Sequence, residues 1–231
     1  MGGERHPWRR LAGAALALGL ALVPGQARAF WLLGFSTAET QAPWTGGFIG
    51  GTGGQITWVG GKLSFTPYLA HAGLRLGLTD WLDAGYRLCT VAMPYNEGGP
   101  TLGGQLDVKA RWTPRAWRVQ SAVGATFANA YLDLAGTSSL AYSPGAYAIV
   151  SRPFGQTVTG SLEARYAYTW LPGVESELHA IGGSVGMAIA LGRGVSVRPE
   201  IGAFDFIGRI HGASESGLGL QYGAVLAARA F

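Results

Sequence analysis

The chain has 231 residues, of which 48% are hydrophobic and only 13% are charged. This composition excludes a disordered chain, which would be poor in hydrophobic residues and rich in charge. It also carries less charge than an ordinary soluble surface needs. Cys89 is the only cysteine, so no disulfide can form within the chain.

Residues 1–29 are predicted to be a secretory signal peptide. Basic residues precede an apolar stretch from Leu11 to Val23, and Ala27-Arg28-Ala29 provides a small-residue cleavage motif. The apolar stretch is too short to span a bilayer comfortably. The segment holds four of the 17 basic and one of the 13 acidic residues, so the rest of the chain is nearly neutral. A nearly neutral chain does not suggest nucleic-acid binding.

The stretch Pro67–Met93 alternates strictly between apolar and polar residues on both sides of a turn at 79–81. Such alternation predicts strands, because successive side chains of a strand point to opposite faces. We interpret the apolar face as lipid-facing and the charged face as the interior of a barrel.

The same period recurs along the chain, at about 102–112, 117–127, 158–170, 181–191 and 195–203. Short turns at 79–81, 113–116, 152–155 and 192–194 alternate with longer predicted loops at 59–66, 94–101, 129–140, 171–177 and 208–216. We therefore predict an all-β fold, a transmembrane antiparallel up-and-down barrel of about ten strands, with eight or twelve as alternatives. The barrel spans residues 46–231, and residues 30–45 form a periplasmic segment or a plug.

Tryptophan and tyrosine residues are expected in two bands, because aromatic rings prefer the membrane interface. The predicted interface aromatics are Trp81, Trp112 and Trp117 beside the short turns, and Tyr168 and Trp170 toward the longer loops.

The hairpin at 77–88, the amphipathic strands and the terminal Phe231 resemble a small Gram-negative outer-membrane β-barrel protein. This resemblance implies a location in the outer membrane, contact with its lipid, and Phe231 as a signal for the barrel-assembly machinery. Arg229 departs from the apolar pattern expected before that signal, which a β-bulge or a snorkelling side chain would explain.

Charged residues on the inward parity are predicted to line the lumen. They are Arg75, Asp83, Arg87, Asp107, Lys109, Arg111, Arg118, Glu163, Arg165, Arg198 and Glu200. Two interpretations follow: a paired network that packs a structural barrel of the envelope, or a narrow, weakly anion-preferring pore for small solutes.

An alternative site lies in the last predicted outer loop, where His211, Ser214 and Glu215 are the residues of an activated nucleophile. They would suit a lipid-modifying hydrolase or acyltransferase at the outer rim. A barrel that binds a surface ligand is the third possibility. Because no nucleophile-elbow, metal-ligand or cofactor-binding motif is present, we expect no enzyme, metal or cofactor. The oligomeric state is left open.

Overall fold

The computed structural model is a closed barrel of ten antiparallel strands. It describes residues 32–59, 62–91, 101–134, 137–172, 176–192, 194–210 and 212–230. Nine strand pairings join neighbours in sequence, and β1 pairs with β10 to close the ring. The all-β fold and the ten-strand prediction are confirmed.

The strands are 10 to 18 residues long. Their bounds are β1 Gly46–Val59, β2 Lys62–Gly77, β3 Leu82–Val91, β4 Thr101–Arg111, β5 Gln120–Leu134, β6 Thr137–Phe154, β7 Val158–Leu171, β8 Ser176–Gly192, β9 Val195–Ile210 and β10 Ala213–Arg229. We call the end that holds Gly46 and Arg229 the periplasmic end, following the orientation predicted from the even strand number, and the opposite end the outer end.

The lipid-facing parity is as predicted in most strands. Outward side chains such as Leu162 and Ile201 are more than half exposed, whereas their neighbours in sequence are buried. An apolar exterior around a polar interior is the reverse of a soluble sandwich, and it suits a bilayer. No helix in the described part of the chain is long and apolar enough to cross a membrane.

The strands are longer than predicted at the outer end, and the predicted loops at 129–140 and 208–216 are largely wrong, whereas residues 94–100 lie outside the described part of the chain. Residues 129–134 pair with 137–142, and residues 208–210 pair with 213–215. The strand pairing continues as far as Leu134↔Thr137 and Ile210↔Ala213, because cross-strand hydrogen bonds satisfy backbone groups whatever the side chain. Serine, threonine and glycine residues, which are typical of loops, are therefore part of the strands at the outer end.

A register shift in the β1–β2 pairing is the reason that residues 62–66 belong to a strand although a loop is predicted there. The pairing of β1 with β2 slips at Gly53/Gln55. Beyond the slip, Leu63 and Phe65 point outward on odd positions, whereas Leu74 points outward on an even one. A bulge changes the parity of a strand, so simple alternation does not reach residues 59–66.

Gly182 is a position where a side chain has no room. A Cβ atom there would lie 2.0 Å from the Ala203 carbonyl oxygen and 2.7 Å from the Phe204 Cα. We expect Gly182→Ala to lower the free energy of unfolding by about 1–3 kcal/mol, as overpacking does. The matched control is Gly50→Ala, whose Cβ would meet only the His71 carbonyl oxygen at 3.9 Å. Guanidinium titration of both variants in lipid vesicles measures the difference, and equal stabilities would contradict the prediction.

Candidate functional site: the lumen and its N-terminal segment

Residues 32–45, which we call the N-terminal segment, run inside the barrel. Leu33 and Phe35 are almost completely buried. The Leu32 amide donates to Gln221 Oε1 (2.8 Å) near the middle of β10, and the Ala38 amide donates to Ser151 Oγ (2.8 Å) near the periplasmic end of β6. Thr40 Oγ1 then donates to the Asp80 carbonyl in the first periplasmic turn (3.0 Å). The segment therefore descends from the middle of the lumen to its periplasmic mouth.

From Leu33 to Glu39, every other carbonyl of the N-terminal segment accepts a hydrogen bond from a lumen cation. The donors and acceptors are Arg87 to Leu33 (2.7 Å), Arg198 to Phe35 (3.2 Å), and Lys109 to Thr37 (2.8 Å) and Glu39 (2.6 Å). Alternate carbonyls point the same way in an extended chain. A segment with one charged residue thus provides acceptors for two buried cations, Arg87 and Lys109, and for the half-buried Arg198.

Glu200 binds the other side of the same segment. Its carboxylate accepts hydrogen bonds from the Gly34 amide (3.2 Å), the Phe35 amide and the Ser184 hydroxyl (2.6 Å). Glu200 is 7% exposed. Charge-assisted bonds to backbone amides are about twice as strong as neutral ones, so Glu200 is a principal anchor of the segment.

A charge network lies below this anchor, toward the periplasmic end. Arg75 bridges Asp83 and Asp107, Lys109 Nζ lies 3.5 Å from Asp83, and the Tyr147 hydroxyl donates to Asp107 (3.1 Å). The side chains of Asp83 and Lys109 are 0% and 2% exposed. Buried charges require such pairing, and here the four strands β2, β3, β4 and β6 contribute to it.

The remaining predicted lumen charges fall into two groups. Arg165 Nε pairs with Glu163 Oε1 at 2.7 Å, and Arg111 donates to Gln120 (3.2 Å) and to the Asp80 carbonyl (2.9 Å). Arg118 is different, because it is exposed in the turn before β5 and does not line the lumen. Strand β5 begins at Gln120 rather than at Trp117, so the alternation seen at 117–119 is outside the ladder. Without Arg118 the predicted set carries a net charge of +2.

The outer half of the lumen combines an apolar cluster with uncharged polar side chains such as Thr57, Ser143 and Thr169. Its buried cluster combines the start of the N-terminal segment with inward side chains of the strands. Members are Leu32, Leu33, Phe35, Cys89, Ala128, Ala130, Ala141, Ala167, Leu171, Leu178, Ala180, Phe204, Phe206 and Val225. The ion pairs are therefore concentrated toward the periplasmic end, whereas the outer half holds the apolar cluster together with uncharged polar side chains.

Sequence reasoning missed the neutral polar partners of the segment. Gln55, Gln221 and Ser151 are each no more than 1% exposed and point inward. Gln221 holds Leu32 and also donates to Gln55 (2.8 Å). Their inward parity was readable from the strand pattern, and an uncharged polar side chain that faces a lumen indicates something polar opposite it.

The predicted outer-rim set is not assembled by the described residues. His211 lies outside them, Ser214 is exposed in β10, and the side chain of Glu215 is also outside the described part. Ser214 pairs in register with Arg209.

The predicted interface aromatics lie on the outside of the barrel. Trp81, Trp112 and Trp117 are more than half exposed near the periplasmic end, and Tyr168 stacks on Trp170 (5.9 Å between ring centroids) near the outer end. Phe231 is outside the described residues. The β1–β10 ladder runs without a register shift from Gly47↔Arg229 to Val59↔Gly217, so no bulge accounts for Arg229.

A closed ring of strands with an apolar exterior and two aromatic bands decides the class of the molecule. This chain folds as a closed antiparallel β-barrel of the membrane-spanning type. Its apolar exterior suits contact with lipid, as the resemblance implied. The signal peptide and recognition by the barrel-assembly machinery remain predictions from the sequence.

Comparisons with known proteins give matches only at the level of solved structures. No family model matches the chain, and none of the curated proteins does. The outer membrane protease OmpT from Escherichia coli is 9% identical with a TM-score of 0.42, over 84% of this chain and 100% of that one. An anion-selective porin from Comamonas acidovorans is 15% identical with a TM-score of 0.30, over 70% of this chain and 49% of the porin chain. An outer membrane protein called OmpT from Vibrio cholerae is 10% identical with a TM-score of 0.28, over 78% and 99% of the two chains.

These comparisons correct one expectation. The prediction that this barrel is no enzyme does not stand, because the similar solved structures include a protease. At this identity and TM-score the likeness assigns no protease activity to the chain, since one fold can carry many functions.

Proposed function

We propose that this barrel is a narrow pathway for small anions that its own N-terminal segment keeps closed. The observation that supports the proposal most directly is the alternate-carbonyl contact of residues 33–39 with Arg87, Arg198 and Lys109. Arginine and lysine side chains that would select a solute in an open lumen instead hold backbone carbonyls. The charged side chains of the lumen thus bind the N-terminal segment and hold it in place.

Removal of the segment would take away the acceptors that its carbonyls provide, while Arg87 would keep Gln105, Arg198 would keep Ser196 and Lys109 would keep Asp83. Arg87 and Arg198 have no carboxylate within 4.0 Å among the described residues, so their hydrogen bonds to the segment would pass to water or to an entering anion. Rings of arginine and lysine favour anions in membrane pores. The net charge of +2 on the predicted inward set has the same sign.

The test is single-channel conductance in planar bilayers. We expect the chain that begins at Phe30 to be silent, and a variant that lacks residues 30–43 to show stable steps with a reversal potential that favours anions. The control is Glu39→Ala in the full segment, because Glu39 is exposed and contributes its backbone carbonyl rather than its carboxylate. Silence from the folded deletion variant would reject the pathway and leave a structural role in the envelope.

A further inference from the structure

A cavity remains in the periplasmic half of the lumen, because the N-terminal segment does not fill it. One part has a volume of ≈ 240 Å³ and lies between the segment and the walls formed by β9, β10 and β1 to β4. The other part, of ≈ 140 Å³, lies beside residues 36–42, nearer the periplasmic mouth. Both parts are lined by Ser36, Gln41, Arg75, Arg198 and Arg229. They therefore adjoin, and we call them together the side cavity.

Positive charge predominates in the lining of the side cavity. Two carboxylates, Glu39 and Asp107, face five cations, which are Arg75, Arg87, Lys109, Arg198 and Arg229. Arg75 and Lys109 have carboxylate partners in the charge network, whereas the other three cations have none within 4.0 Å among the described residues. A cleft lined by an excess of one charge concentrates ions of the opposite sign, so the side cavity favours an anion.

Arg229 lines the side cavity because it lies on the inward parity of β10. Val225 and Ala227, which precede it on that parity, are 2% and 7% exposed. The Arg229 amide donates to the Gly194 carbonyl (2.9 Å), which fixes the end of the strand at the periplasmic mouth. The departure of Arg229 from an apolar pattern thus follows from its place in the lumen wall, and no snorkelling from the lipid face is needed.

Arg198 retains donors that a ligand can use. Its Nε donates to Ser196 Oγ (3.2 Å) and its Nη1 donates to the Phe35 carbonyl (3.2 Å). No described residue accepts a hydrogen bond from Nη2. A guanidinium has five N–H donors in a planar fork, so the two N–H groups of Nη2 are available to an acceptor in the side cavity.

The N-terminal segment contributes a hydroxyl to the same space. Thr37 lines the part nearer the mouth and is 8% exposed. Its hydroxyl forms no hydrogen bond with the described residues. Buried hydroxyl groups normally have a partner, so the Thr37 hydroxyl indicates a polar occupant of the side cavity.

We propose that the side cavity binds one tetrahedral oxyanion with two negative charges, of the phosphate or sulfate class. Arg198 and Arg229 bind its oxygens from the wall, and Thr37 donates to it from the segment. Guanidinium forks match the geometry of such an ion, and its two charges match two guanidinium groups without carboxylate partners. A cavity needs only about 10–15 Å³ to hold one water molecule. The ≈ 140 Å³ part therefore has room for an ion of five heavy atoms and its remaining waters.

The bound ion also holds the N-terminal segment against the wall. It joins β9 and β10 to Thr37, so it binds the barrel with its segment in place better than the barrel without it. A ligand that binds one state better stabilises that state. The site does not require that the barrel conducts ions, and it is tested without a conductance measurement.

Isothermal titration calorimetry of the folded chain that begins at Phe30 tests the site. Sulfate, inorganic phosphate, glycerol 3-phosphate and acetate are titrated at matched ionic strength in a chloride buffer. We expect one sulfate or phosphate ion per chain, bound at least tenfold more tightly than acetate. Binding of both inorganic ions no tighter than that of acetate would overturn the proposal. Tighter binding of glycerol 3-phosphate than of both would show that the ligand is a phosphate ester, and would overturn it as well.

Variants test the two sides of the site. Arg198→Gln and Arg229→Gln are each expected to weaken sulfate binding about tenfold, as the loss of one charged hydrogen bond does. Arg229 forms no described side-chain hydrogen bond with the segment, so its variant separates loss of the ion from release of the segment. The matched control is Arg152→Gln, an exposed arginine near the periplasmic end that lies over the Phe154 ring.

Unchanged sulfate binding in both Arg198→Gln and Arg229→Gln would refute the site, and so would an equal loss in Arg152→Gln. Thr37→Val keeps the shape of the side chain and removes its hydroxyl, and we expect it to weaken binding about fivefold, as the loss of one neutral hydrogen bond does. Because the selectivity of the unmodified protein is measured first, a variant that fails to fold does not remove the test.

Discussion

Asp83→Ala is expected to lower the free energy of unfolding by about 3–5 kcal/mol, because it leaves buried cations without their partner. Asp83 is 0% exposed, it pairs with Arg75 and Lys109, and it accepts a hydrogen bond from the Gln41 amide (3.2 Å). Urea titration of the protein folded in lipid vesicles, followed by tryptophan fluorescence, measures the change.

Asp80→Ala is the matched control. Asp80 lies in the adjacent turn, its side chain is 74% exposed, and it pairs with exposed Arg115 at 3.7 Å. An exposed pair is worth about 0–1 kcal/mol, so the control should be nearly as stable as the parent. Asp83→Ala combined with Lys109→Met should recover part of the loss, because it removes one unpaired charge. If Asp83→Ala alone were as stable as Asp80→Ala, the Asp83 carboxylate would not be what holds the charge network together.

Glu200→Ala is expected to open the barrel without any deletion. The substitution leaves the Gly34 and Phe35 amides without their acceptor, and an unsatisfied buried donor costs about 1–3 kcal/mol. A combined loss of about 2–4 kcal/mol would raise the open fraction about 30- to 1000-fold, since 1.4 kcal/mol is a factor of ten. Conductance recordings should then show brief openings where the parent is silent.

A cross-link distinguishes release of the segment from general loosening. The Ala38 amide lies 2.8 Å from Ser151 Oγ, so cysteines at 38 and 151, in a Cys89→Ser background, are close enough to join. In the Glu200→Ala protein the oxidised pair should abolish the openings and reduction should restore them. Openings that persist after oxidation would mean that the current passes elsewhere.

The barrel could be predicted from the sequence because its strands follow a local rule. Alternation of apolar and polar residues, as at Leu102–Trp112 and Val158–Trp170, indicates which face of a strand contacts lipid. The same alternation along the other strands predicts that Asp83, Lys109, Glu163 and Glu200 face the lumen. The rule needs only neighbours in sequence. It failed at Arg118, where the ladder has not begun, and at residues 59–66, where the register slips.

The contents of the lumen could not be predicted in the same way. Residues 32–38 have no period, because an extended segment inside a barrel is surrounded on all sides. Its partners Ser151, Glu200 and Gln221 lie more than 110 residues away along the chain. The outer end of β9 also reverses the usual pattern, with Phe204 and Phe206 inward and Asp205 and Arg209 outward. Both features depend on which distant strands meet there.

The seam between β1 and β10 has a consequence for the order of assembly. It joins Gly47 to Arg229, so the first strand cannot complete its ladder until the whole chain is available. Non-local pairing of this kind is slow to form, and β1 is rich in glycine, which contributes few side-chain contacts to the seam. Until closure, the nascent sheet exposes two unpaired edges, which are sites of aggregation. The last pair of strands to close the ring therefore sets how long the unfinished protein needs protection.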